Sequence, residues 1–297
     1  MNKLDGLLVG ISVSDAPDRA RLGFPQREID RAVLSLCTAL VREGADIAYG
    51  GNLEPDGYTF KIFRHLASAF AGAREAPFRH FIPDPIARRA RYEDLLSTLN
   101  NGRGTVRTEI ARGTEFFVAV PRHGAIRMGA DTVVRDDADL LAWFGEVPAV
   151  EPGAAYSAAR QEIAARVDAC VVLGGKMGVL SQPNDTYFGA MPGVAEEAIL
   201  SLEACKPLIA LGAFGGAARD IAIALGLIDP KDRVPRAIQN PSYAASINQV
   251  EALRHLIPST LYDDLVQVAD DDRSEQTAFK VVSIIETWVA LPRKGGV

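Results

Sequence analysis

The sequence predicts an α/β protein, with a Rossmann-like, doubly wound, mostly parallel sheet followed by a C-terminal helical appendage. Three observations predict it. Short apolar runs alternate with longer helical patterns over the first 228 residues, the rhythm of strand–helix units that build a parallel sheet with helices on both faces. Two of those runs, DACVVLGG (168–175) and KPLIALGA (206–213), are almost wholly apolar, as strands covered on both faces must be. After about residue 228 the alternation stops and only helical patterns remain.

GLLVGIS (6–12) reads as the first strand. QREIDRAVLSLCTALVREG (26–44) places Ile29, Val33, Leu36, Leu40 and Val41 on one helical stripe and ends at Gly44, a usual helix stop. ADIAYGG (45–51) is the second strand and DGYTFKIFRHLASAFAG (56–72) the next helix. FRHFIP (78–83) is a third strand, with a helix near 85–99, and EFFVAVP (115–121) is a fourth. The segment 122–155, with RDDAD and EVPAVEPGAA, reads as a looser excursion with a short helix around Leu140–Phe144. AYSAARQEIAARVDA leads into the strand at 168–175, and a helix after Gly193 leads into the strand at 206–213. Helices follow at 246–256, 259–268 and 274–291, broken by Pro258 and ADDDR. The expected division is therefore a nucleotide-binding domain over 1–228 and a helical extension over 229–297 packed on it.

Composition narrows the function classes. With 48% hydrophobic and 24% charged residues in 297, a buried core is within reach. The formal charge of −6 repels phosphate backbones at long range, which argues against nucleic acid as partner. Cys37, Cys170 and Cys205 lie in apolar stretches without metal spacing and read as small core residues of a reduced, cytoplasmic protein. No run of about 18 uncharged apolar residues argues for a membrane span, and the four histidines form no ligand pattern. The expectation is thus no membrane, no metal and no required cofactor.

Three glycine doublets stand at or just after strand ends. In open parallel sheets that is the side where ligands bind. AYGGNLEPDGYTF carries Gly50, Gly51, Asn52 and Gly57 ahead of a helix N-terminus, where unpaired N–H groups favour phosphate; a Gly-rich turn capped by Asp56 is the alternative. LGGKMG carries Gly174, Gly175 and Lys176, and Gly193 precedes a helix whose first turn holds Glu196 and Glu197. Those carboxylates suit the two hydroxyls of a ribose, or serve only as partners of the helix dipole. IALGAFGGAARDIA carries Phe214, Gly215, Gly216 and Arg219 in a strand–turn–helix that is not GxGxxG, so a dehydrogenase reading is weak. Arg88, Arg89, Arg91, Arg103, Arg107 and Arg112 are expected to be solvated or paired with neighbouring acids such as Glu93, Asp94 and Glu109. Arg160 opens a helix expected to abut the crevice.

ISVSDAPDRARLGF, YGGNLEPDGYTF, AARQEIAARVDACVVLGGKMG and PGVAEEAILSLEACKPLIALGAFGGAARDIA together resemble the SLOG superfamily over roughly 6–225. That superfamily includes the lonely-guy cytokinin-activating enzymes, the DprA/Smf group, the TRPM nucleotide-sensing region and the SLOG domains of bacterial anti-phage effectors. The resemblance implies a Rossmann-like sheet that binds a nucleotide-derived ligand, ADP-ribose-like, cyclic ADP-ribose-like or NAD-related, as a sensor in a signalling or defence system. It places Ser12 and Ser14 beside the glycines as ligand-binding positions. It also implies a homo-oligomer built through the helical extension, with a separate effector protein as partner. In the lonely-guy branch, an Arg and a Glu cleave the base–ribose bond of a nucleoside monophosphate, and Arg160 and Glu197 fall near those positions. Here KMGVLSQPNDTYFGAM separates Gly174-Gly175 from Pro192-Gly193 and the Gly-Thr pair is missing, which weakens this N-glycosidase (phosphoribohydrolase) alternative. A structural or interaction protein with a vestigial crevice is the third reading.

Overall fold

The computed structural model describes residues 2–54, 56–70, 76–102, 104–235 and 237–292. Pro55, Arg103 and the last two residues of the helix expected over 56–72 lie outside them. In chain order the elements are β1 (Leu8–Ser14), α1 (Gln26–Arg42), β2 (Asp46–Gly50), α2 (Tyr58–Phe70), β3 (Phe78–Ile82), α3 (Asp84–Ala87), α4 (Tyr92–Asn101), β4 (Val106–Arg112), β5 (Glu115–Arg122), β6 (Ala125–Met128) and β7 (Thr132–Val134). They continue with α5 (Asp137–Gly145), α6 (Pro152–Arg166), β8 (Ala169–Gly174), α7 (Gly193–Glu203), β9 (Leu208–Leu211), α8 (Gly216–Ala224), α9 (Pro241–Ala252), α10 (Tyr262–Ala269) and α11 (Ser274–Ala290). The protein is α/β with Rossmann-like parallel strands, and it closes on helices.

Two compact units form, Met1–Ala45 with Ala164–Val297, and Asp46–Ile163. The whole of 229–297 thus falls in the first unit, together with the chain's beginning. A chain that leaves a unit and returns to it produces no break in hydrophobic rhythm, so the expected cut at 228 could not have anticipated these bounds.

In the first unit β1, β8 and β9 pair in parallel in the order β1-β8-β9. Ser14 lies opposite Gly174, and Leu173 opposite Leu211. All six residues of β8 are buried, because helices cover it. α7 and α8 pack on β8, α9 on both of those helices, α10 on β9, and α11 along α1. The stripe Ile29, Val33, Leu36 and Leu40 of α1 and the residues Val281, Val282, Ile285 and Trp288 of α11 are buried, each stabilising the fold by about 1.5–3 kcal/mol. The Asp168 carboxylate accepts from the Leu8 amide at 2.9 Å and so sets the start of β1 against that of β8.

In the second unit the order is β2-β3-β4-β5-β6-β7, with β2, β3 and β4 parallel and β4 to β7 an antiparallel meander. This corrects two expectations. EFFVAVP forms β5, but antiparallel to β4. The stretch 122–155 holds the expected short helix, as α5, but it is not loose before it: β6 and β7 lie there too. The missed strand, VRTEIAR, places Glu109 in the interior, 3% exposed, with Arg107 Nε 3.5 Å away, so its charges hid its period. Around it Ile82, Leu95, Ile110, Ile126, Trp143 and Phe144 form a core. Arg112 lies over the Phe117 and Trp143 rings at 4.9 and 4.8 Å. The helix expected near 85–99 is two helices, separated where Arg91 turns extended.

Candidate strand-end site

Because β1, β8 and β9 run parallel, their carboxyl ends share one edge of the first unit. Ser14 ends β1 and Gly174 ends β8, while the turn after β9 carries Gly212 to Gly215 into α8. Here two glycine doublets meet. Gly174, Gly175, Gly215 and Gly216 all have positive φ, at 57°, 106°, 83° and 71°, a region costly for residues with a Cβ. A Cβ on Gly216 would lie 2.5–2.7 Å from the Gly174 and Gly175 backbone, and one on Gly175 2.9 Å from the Ala217 Cβ. The glycines let one chain reversal lie directly on the other.

Their amides are not open to a guest. Gly175 N–H donates to Ser14 O at 3.0 Å, Ala217 N–H to Gly175 O at 3.2 Å, and Gly215 N–H to Gly212 O at 3.0 Å. Gly216 N–H donates to Asp18 Oδ1 at 2.7 Å. Asp18, 5% exposed, comes from the loop after β1, so the chain's own carboxylate stands where the α8 N-terminus favours an anion. The expectation of phosphate resting on the Gly215–Gly216 amides is corrected to this extent. Sequence reading missed Asp18 because an Asp in a loop after a strand has no distinguishing local pattern.

Arg219 is also placed otherwise than expected. It is 4% exposed. Its Nη1 donates to Gly212 O at 3.2 Å and to Asp270 Oδ1 at 2.5 Å, and Nε and Nη2 donate to Asp232 O at 3.1 Å. It braces the β9 end against the 229–233 turn and the end of α10. Phe214 is buried and packs edge-on to Phe24, with ring centroids 5.1 Å apart. Ser12 is buried within β1, opposite Val172.

Lys176 Nζ donates to Asn184 O at 2.6 Å. The insertion it starts is folded: Asp185 accepts from Met177 and Val179 amides at 3.0 and 2.7 Å, and Leu180 N–H donates to Ile238 O at 3.0 Å. Gly193 is the first residue of α7, after Pro192. Glu196 is buried and Glu197 half-buried. Burial, helped by the Glu197 charge, pushes the thiol of Cys170, the second residue of β8, far up.

In the second unit, Gly50 ends β2, and a Cβ there would lie 2.9 Å from Ile163 Cδ1; on Gly51 it would run into the Thr59 hydroxyl and the Tyr49 ring. Asn52 Oδ1 accepts from the Glu54 amide at 3.3 Å and Gly57 N–H donates to Glu54 O at 2.9 Å, a turn that delivers the chain to α2. Two polar side chains flank Gly51. Thr59, in the first turn of α2, is 3% exposed, and its Oγ1 is buried with no hydrogen-bond partner. His80 on β3 is 1% exposed and hydrogen-bonds the Gly51 backbone; burial drops its pKa to about 4, and its Nε2 has no partner. A threonine in a helix's first turn and a histidine in an apolar strand were visible in the sequence, but nothing local linked them to the glycines. Arg160 lies on α6 of this unit, its guanidinium 5.8 Å from the Tyr156 ring. Arg91 pairs with Glu93 at 3.3 Å and Arg88 with Asp84 at 2.7 Å. Among the described residues no group of three or more His, Cys, Asp and Glu is placed to hold a metal ion, and no helix is long and apolar enough to cross a membrane.

A family model described as SLOG cluster2 matches residues 3–114 and 144–272. The unmatched stretch between them spans β5, β6, β7 and most of α5, the antiparallel extension of the second unit. No curated protein and no solved structure matches the chain.

Proposed function

The chain belongs to the SLOG cluster2 family, and from that premise we propose that it binds an ADP-ribose-like, cyclic ADP-ribose-like or NAD-related ligand as a sensor in a cytoplasmic nucleotide-signalling or defence system. Family membership points to nucleotide-related binding or processing; the sensor role and the ligand class are this proposal.

One observation supports it above the others: the Thr59 hydroxyl is buried without a partner in the first turn of α2, directly behind Gly51. An unpaired buried polar atom costs about 1–3 kcal/mol. A phosphate oxygen at the α2 N-terminus would accept from that hydroxyl and meet the helix dipole. In the first unit Asp18 already occupies the corresponding place at the α8 N-terminus. Oligomer formation belongs to the same proposal, with one refinement. Val281, Val282, Ile284, Ile285 and Trp288 are buried inside the unit, so a second copy would meet the exposed Val266, Phe279 and Val289.

Thermal unfolding with ADP-ribose, cyclic ADP-ribose, NAD, AMP and inorganic phosphate tests it. A ligand at a hundred times its dissociation constant stabilises the fold by about 2.7 kcal/mol. Thr59→Val keeps the side-chain shape, removes the hydroxyl and should abolish most of that gain. Ligand recovered unchanged supports the sensor. Free base released by the protein and lost in Glu197→Gln supports the N-glycosidase, and a flat panel supports the vestigial crevice.

A further inference from the structure

Two buried polar atoms flank Gly51, just past the carboxyl end of β2, the edge where open parallel sheets receive ligands. A Cβ on Gly51 would lie 2.1 Å from Thr59 Oγ1. His80 reaches the same residue from β3, the neighbouring parallel strand, by a hydrogen bond to the Gly51 backbone. That bond favours the protonated ring, so it is an imidazole N–H that donates to the Gly51 carbonyl. Burial is the larger effect and keeps the ring neutral. The other nitrogen, Nε2, therefore carries a lone pair and no proton. Among the described residues neither Thr59 Oγ1 nor His80 Nε2 has a hydrogen-bond partner, although the two side chains are only 3% and 1% exposed.

The two atoms call for different partners. A hydroxyl can donate to an oxyanion, whereas an unprotonated imidazole nitrogen only accepts. A bare phosphate would satisfy Thr59 and set its negative charge against the His80 lone pair. A ligand that joins an oxyanion to an O–H satisfies both. Resting on the reading of Thr59 as a phosphate donor, we propose that His80 Nε2 accepts from a ribose hydroxyl beside that phosphate and so selects a sugar phosphate over phosphate alone. A buried acceptor rejects a ligand without the hydroxyl because the acceptor then stays unpaired. Phe78 lies parallel to the imidazole, with ring centroids 6.2 Å and planes 11° apart, and together with the Gly51 bond it fixes where Nε2 points.

Titrations followed by phosphorus NMR test this with four probes: ADP-ribose, inorganic pyrophosphate, ribose 5-phosphate and tetrahydrofurfuryl phosphate, whose ring has no hydroxyl. The native protein should bind ribose 5-phosphate about two- to tenfold more tightly than tetrahydrofurfuryl phosphate, the scale of one hydrogen bond. His80→Phe keeps a ring beside Phe78 and removes the acceptor. It should erase that preference and weaken ADP-ribose by the same factor, while pyrophosphate binds as before. Thr59→Val should weaken all four. Equal binding of the two ring phosphates by the native protein overturns the role of His80 without recourse to any variant, and so does a His80→Phe protein that loses pyrophosphate as strongly as ADP-ribose; either result leaves the phosphate site at Thr59 standing. If no probe binds the native protein, both the phosphate site and the role of His80 fall.

Discussion

Replacing Asp18 with Ala removes the acceptor for Gly216 N–H, a 2.7 Å bond at the buried start of α8. Gly216 is packed against the Gly174–Gly175 backbone, so water cannot readily take the vacated place. Leaving a buried N–H without an acceptor costs about 1–3 kcal/mol, and removing an anion from a helix N-terminus adds about 0.3–1 kcal/mol. Asp18→Ala should therefore destabilise by about 1.3–4 kcal/mol. Asp18→Asn keeps an oxygen acceptor and loses mainly the charge, so it should cost about 1 kcal/mol or less. Urea denaturation followed by circular dichroism measures both, read as a shift in midpoint at constant m-value. An Ala variant within about 0.5 kcal/mol of the native protein, or an Asn variant as destabilised as Ala, would refute the reasoning that Asp18 closes this helix.

Three further outcomes are expected. His80 is neutral in the folded state, its pKa lowered by burial from 6.5 to about 4, so its contribution is intact above pH 6.5 and is lost as pH falls towards 4, where the unfolded chain binds the proton first. That loss amounts to about 3 kcal/mol, and His80→Phe should flatten this part of the stability–pH curve. Arg219→Ala removes bonds to Gly212 O, Asp232 O and Asp270 and should cost about 3 kcal/mol in urea denaturation, because two carbonyls lose their donor. A thiol reagent should label Cys205 quickly and leave Cys37 and Cys170 protected in native protein. Cys205 is exposed, whereas the others are buried, with the Cys37 pKa pushed up to about 12 and the Cys170 pKa higher still; equal labelling of all three would contradict the packing.

The parallel strands at 168–175 and 206–213 were legible because nearly unbroken apolar runs leave little choice of environment, and those at 6–12, 45–51 and 78–83 because short apolar stretches alternate with helical patterns. VRTEIAR was not, since its charges break the pattern: Glu109 is buried beside the exposed Arg107, and Arg112 is half-buried beside Glu146. Positive-φ glycines could be read as places of close approach, but not what approaches. At Gly174–Gly175 and Gly215–Gly216 it is the protein's own backbone, and Asp18 reaches Gly216 across 198 residues of sequence. Local pattern carries no record of such pairings. The same holds for Arg219, where a basic residue one turn into a glycine-capped helix suits a phosphate and a structural carbonyl brace equally well. Thr59 and His80 escaped notice because each is unremarkable in its own segment, and only folding brings both to Gly51.

The most direct test of the account is mass spectrometry of small molecules released from the purified native protein, set beside those from Thr59→Val. The account predicts a nucleotide derivative bearing phosphate, intact, bound to the native chain and depleted in the variant. Recovery of no such compound from either protein, even after incubation with ADP-ribose and NAD, would contradict it.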